Sequence, residues 1–194
     1  MKKLLLPLFA LSIATSAVSP AFAAAKYAID PAHAWVNFAI NHVGWAKALG
    51  SFREVTGNIS FDPENVEKST LDVTINAASV DTNSKDRDDH LRSPDFLNAV
   101  EFPTITFKST KVEKTGDRTG KVTGDLTMLG VTKPVTLDVQ WNDEKPLPWD
   151  ANTVKTGFSA KGSLSALDFG MNKVSDFGLG PNLDLVIEIE AVKE

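Results

Sequence analysis

The sequence predicts an all-β domain built from eight antiparallel strands, and three observations carry that prediction. Apolar and polar residues alternate with period two through most of the chain. The alternating runs are separated by Pro, Gly, Asn and Asp turns, mostly too short for crossover helices, so neighbouring strands must run antiparallel. No linker, low-complexity stretch or internal repeat divides residues 24–194, a length that supports one domain with a sizeable core.

The chain opens with Lys2 and Lys3, an apolar run from Leu4 to Val18, and the triplet Ala21-Phe22-Ala23. This is the pattern of a secretory signal peptide, residues 1–23, cut after Ala23. The run is short for a transmembrane anchor, Pro7 interrupts it, and no positive stop-transfer cluster follows. The leader has a bacterial form, so a soluble domain of residues 24–194 is expected in the periplasm. No cysteine is available for disulfides there, and stability must come from a core.

The first strand carries Val36, Phe38 and Ile40 on one face, and the second Val55, Ile59 and Phe61. In Leu71-Asp72-Val73-Thr74-Ile75-Asn76-Ala77 the odd positions are apolar and the even ones polar. Ile105 and Phe107 stand against Thr104, Thr106 and Lys108; Val122, Leu126 and Met128 stand against Thr123, Asp125 and Thr127. Val135, Leu137, Val139 and Trp141 form the next row, then Val154, Phe158 and Ala160, then Leu183, Leu185, Ile187 and Ile189. Each is a strand with one wet face. Turns are expected at Asp62–Asn65, Thr115–Asp117, Leu129–Pro134 and the proline-rich Lys145–Asp150.

One stretch breaks the strand pattern. SVDTNSKDRDDHLRSPDFLN, residues 79–98, crowds Asp86, Arg87, Asp88, Asp89, His90 and Arg92 into seven positions. Asn83 is placed to cap a helical turn, Asp88 and Arg92 lie four apart on one face, and Ser93-Pro94 restarts a turn. The expectation is one or two short helical turns with charges facing water and Leu91, Phe96 and Leu97 beneath.

Charge and motif exclude several functions. The chain has 20 basic and 25 acidic residues, and the leader's only charges are Lys2 and Lys3. Residues 24–194 therefore carry 18 basic against 25 acidic groups, a net −7. Nucleic acid and anionic membrane surfaces are poor partners for such a domain. His33 and His42 have opposite parity on one unbroken strand, and the Asp-rich run lacks the glycine and terminal glutamate of a calcium loop, so no metal site is expected. There is no cysteine and no GxSxG elbow. Asp168-Phe169-Gly170, Asp176-Phe177-Gly178 and Gly178-Leu179-Gly180 lack the surroundings of nucleotide motifs. No catalytic residue is assigned. Parity leaves an apolar face that fits either a two-sheet sandwich or a barrel, solid or hollow.

Three stretches go further: DPAHAWVNFAINHVG (30–44), SVDTNSKDRDDHLRSPDFLNAVEFPTITFKST (79–110) and VTGDLTMLGVTKPVTLDV (122–139). With the ending LDLVIEIEAV they resemble the YceI family of secreted bacterial proteins over essentially the whole of residues 24–194. That resemblance implies an eight-stranded antiparallel lipocalin-like β-barrel with a short helical insertion, hollow, holding a polyisoprenoid or a similar long-chain amphiphile such as an isoprenoid quinone. It also suggests a link to stress protection. By parity the expected lining is Val36, Phe38, Ile40, Leu71, Val73, Ile75, Ile105, Phe107, Leu126, Met128, Phe158, Leu185 and Ile187; His42 ends the row of its strand, either as a structural histidine or at the mouth near a ligand head group. The implied role is carriage or storage without cofactor or catalysis, with transient membrane contact. A ligand-free stress or interaction module and an enzyme acting on an isoprenoid lipid are the alternatives.

Overall fold

The computed structural model describes residues 24–194; the predicted leader lies outside them. In chain order the elements are β1 (Ala25–His42), β2 (Ala46–Phe52), β3 (Val55–Phe61), β4 (Thr70–Asn76) and β5 (Val80–Asp81). The helix α1 (Lys85–Arg92) follows, then β6 (Thr104–Lys114), β7 (Thr119–Met128), β8 (Val131–Leu147), β9 (Asp150–Ser165) and β10 (Leu179–Lys193).

Eight of these strands close into a ring. Going round, β1 pairs with β10, then β9, β8, β7, β6, β4 and β3 follow, and β3 returns to the start of β1. Every pairing is antiparallel, and the ring strands are the eight that alternation marks. Closure leaves these strands without a free edge along most of their length.

The two further strands depart from expectation. β2 continues the line of β3 along the second half of β1, from Val36↔Phe52 to His42↔Ala46, and the two-residue β5 pairs with its end. AKALGSF buries only Ser51, so it carries little alternating signal. The predicted turns also shrink. Between β7 and β8 only Leu129 (φ 54°) and Gly130 (φ 72°) turn the chain, with Met128 and Val131 already paired. Two successive positive φ values match the twist of a hairpin, and a Cβ on Gly130 would lie 2.9 Å from the Phe102 ring. Lys145 and Pro146 belong to β8 rather than to a loop.

The residues between β4 and β6 plug one end of the ring. Asp86, Arg87 and Asp89 face water as expected, but one charge is corrected: Asp88 is buried, and its carboxylate accepts from the Thr82 amide at 2.8 Å and the Thr82 hydroxyl at 2.6 Å. Arg87 donates to the Thr82 hydroxyl and carbonyl, while Arg92 donates to the carbonyls of Ala78 and Val80. The charges thus satisfy backbone and side-chain groups that the irregular segment 78–82 leaves unpaired. Ser84, not Asn83, precedes the first helical turn; Asn83 adopts φ 61°. Phe96 within the plug and Phe177 from the β9–β10 connection meet the His90 ring edge-on at 5.0 and 5.1 Å.

Candidate ligand-binding site

Inside the ring lies a cavity of about 280 Å³. Its size is near the lower end of the roughly 300–1,000 Å³ usual for small-molecule sites. All thirteen residues that parity selected border it, from Val36, Phe38 and Ile40 on β1 to Leu185 and Ile187 on β10. The strand rows supply more: Val135, Leu137, Val139 and Trp141 on β8, and Phe61 on β3. Those residues share the marked parity, so alternation alone could have found them. Met171, Val174 and Leu179 also border the cavity, from the β9–β10 connection and its junction with β10, where period two offers no guide.

A glycine admits a large ring to the wall. On β7, Gly124 lies in the row of Val122 and Leu126, and a Cβ there would stand 2.5 Å from the Phe107 ring. Phe107 therefore occupies room that another side chain would take. Phe61 lies tilted against Trp141 and edge-on to Phe158, each at 5.2 Å, so three aromatic rings form one wall. The Trp141 ring nitrogen donates to Thr156 at 3.1 Å, which leaves its ring apolar toward the cavity.

The two ends of the cavity differ. At one, Leu91, Phe96, Leu97, Met171 and Val174 close it; all but Leu91 are buried. At the other, the bordering residues are Pro63, Thr70, Lys114, Asp117, Arg118 and Thr119, all exposed. That end is the mouth, between the β3–β4 loop and the β6–β7 turn. Pairing of β4 with β6 stops at Asp72↔Lys108, so β6 runs on to the mouth without a strand on that side. His42 lies at the plugged end, exposed, with its ring 6.2 Å from Trp45, and does not border the cavity. The insertion closes that end, which a reading of one strand in isolation could not foresee.

A second polar cluster lies outside the barrel. A register break in β1 between Ile29 and Ala34 brings Asp30, His33 and Glu190 together. The strand is thus not unbroken, contrary to the premise used for His33 and His42. Their charge is met by Lys155, whose ammonium lies 2.6 Å from Asp30 and 2.8 Å from Glu190. That hydrogen bond to Lys155, with those from His33 and the Ala32 amide, holds the Asp30 carboxyl down to about 2. Nearby, burial and a hydrogen bond to Glu144 push the Tyr27 phenol above its ordinary value. These groups lock the start of β1 to β8, β9 and β10.

A family model described as YceI-like domain matches residues 27–191. The chain belongs to the YceI-like family. Protein YceI of Escherichia coli O157:H7 is 43% identical over 199 residues, covering 100% of both chains. Among solved structures, the YCEI protein of Campylobacter jejuni is 35% identical with a TM-score of 0.71, covering 79% of this chain and 90% of that one. A polyisoprenoid binding domain from Saccharophagus degradans shares the fold at a TM-score of 0.65 and 13% identity, covering 88% of this chain and 99% of that one. Among the described residues, no helix of this YceI-like protein is long and apolar enough to cross a membrane.

Proposed function

We propose that this protein holds a long-chain apolar lipid, of the polyisoprenoid or isoprenoid quinone class, inside its barrel and carries or stores it in the periplasm. The observation that supports this most is a cavity bordered by apolar side chains along the barrel, with polar residues gathered almost wholly at one exposed mouth. An amphiphile with a tail and one polar end matches that distribution. The fold shared with a polyisoprenoid binding domain points the same way.

The energetics are adequate. Burying one isoprene unit contributes about 4 kcal/mol gross, at about 0.8 kcal/mol per carbon. The entropy of immobilising protein and ligand offsets part of this, so affinity has to come from several units. The thirteen lining residues contact the chain in this reading, while His42 does not contact it. No cofactor or catalytic group is required for holding a lipid.

Trp141 provides the test. It borders the cavity, so titrating lipid-stripped protein with a long-chain prenol should shift tryptophan emission and saturate at one prenol per barrel. A Trp141→Phe variant should bind without that shift. Unchanged emission together with no prenol retained on gel filtration would count against the reading. Processing is checked separately: exported protein should have the intact mass of a chain starting at Ala24.

A further inference from the structure

We propose that the protein docks on a lipid bilayer through its mouth end, with Trp149 at the tip of the β8–β9 hairpin as the inserted anchor. This rests on the reading that the cavity carries a lipid, since such a cargo has no route through water between bilayer and barrel.

The tip is built for presentation. The last pair joining β9 to β10 is Lys155↔Val192, so residues 146–154 reach beyond it and pair only with one another. Pro146 and Pro148 restrict the backbone on either side of Leu147. Asp150 fastens the turn by accepting from the Asn152 amide at 3.1 Å and the Thr153 hydroxyl at 2.5 Å. On this held turn Trp149 is 81% exposed. Indoles favour the boundary between head groups and acyl chains, and this one stands at the end that bears the mouth. Strand direction places this turn at the same end as the β6–β7 turn that borders the mouth.

Charge identifies the kind of surface. Around the mouth and tip Lys114 and Arg118 stand with Asp117, and Lys145 pairs with Asp143 at 3.0 Å. The signs are mixed, and no basic face is available to attract anionic lipid. Attachment therefore comes from apolar insertion into a surface that need not be charged, and it should persist in salt. Trp45, 82% exposed at the tip of the β1–β2 turn, lies at the plugged end and serves as the comparison.

Flotation with phosphatidylcholine vesicles tests this on the full-length secreted protein. Wild type should float with the vesicles, equally at low salt and in high salt. Trp149→Ser should reduce the bound fraction about tenfold, as expected for losing part of one aromatic side chain's burial. Trp149→Tyr should restore most of it, and Trp45→Ser should behave as wild type. With brominated acyl chains, wild-type tryptophan emission should be quenched. Loss of flotation in Trp45→Ser with retention in Trp149→Ser would overturn the proposal, as would failure of wild type to float or release by salt. The lipid content of each purified variant separates the two readings: Trp149-dependent flotation of a protein that carries no lipid would leave docking standing and remove the carrier function.

Discussion

Replacing Ala160 by Phe distinguishes a hollow barrel from a filled one by the sign of its effect. Ala160 lies on β9, borders the cavity, and is flanked across the sheet by Val139 and Ile187, which border it too. In a filled core the added ring would have to displace neighbours, at about 1–3 kcal/mol. Here a space of about 280 Å³ lies in front of it. A cavity of about 150 Å³ accommodates a benzene-sized group, so the ring has room. Its burial should then stabilise the lipid-free protein by about 1–2 kcal/mol, somewhat below full burial of a Phe side chain. The same ring should remove lipid capacity, so lipid per barrel should fall severalfold. Urea unfolding of stripped protein measures the first effect, provided the dependence on denaturant is unchanged. Quantifying extracted lipid measures the second. A variant less stable than wild type by 1 kcal/mol or more, with unchanged lipid content, would refute the hollow-barrel reasoning.

Other perturbations test the supports around the cavity. Asp88→Ala removes two hydrogen bonds to a buried carboxylate and strands the Thr82 amide, so it should cost about 3 kcal/mol in urea unfolding; less than 0.5 kcal/mol would show the plug to be held otherwise. Asp30 titrates near 2 in the folded chain against 3.8 in the unfolded one, so its contribution is fully present above pH 3.8 and is lost as pH falls toward 2. The amount is about 2 kcal/mol, and Asp30→Asn should flatten stability over that interval; an unchanged acid limb would contradict the assignment. Tyr27 has the opposite sense: its raised value keeps its contribution below its ordinary 10.0 and loses it above, so Tyr27→Phe should blunt alkaline unfolding.

The ring strands were legible because closure gives each one dry and one wet face, and Leu71-Asp72-Val73-Thr74-Ile75 writes that difference directly. β2 left little trace because Ala46–Phe52 carries alanine and glycine where a row of large apolar residues would stand. Gly50 is needed there, since a Cβ would enter the Phe38 ring at 2.3 Å. The parity of Phe107 or Leu185 also shows which side chains face the interior, but not whether the interior is full. That depends on volumes summed over strands distant in sequence, including Gly124, Ala160 and Gly162. The helical insertion was legible as a helix and, except at Asp88, as a charged surface. Asp88, Arg87 and Arg92 read as solvated charge because their partners are the Thr82 hydroxyl and backbone groups of residues 78–82, which no charge pattern announces. The position of His42 failed to follow from its strand for a related reason: the element that closes its end of the barrel comes from another part of the chain.

The most direct measurement is mass spectrometry of the native, gently purified protein, intact and after organic extraction. A hollow apolar barrel that holds a lipid in the cell should emerge loaded, with an adduct of several hundred daltons that the extract resolves as a long-chain apolar lipid at close to one per barrel. Folded protein that repeatedly emerges with no adduct and yields no lipid would contradict the carrier account.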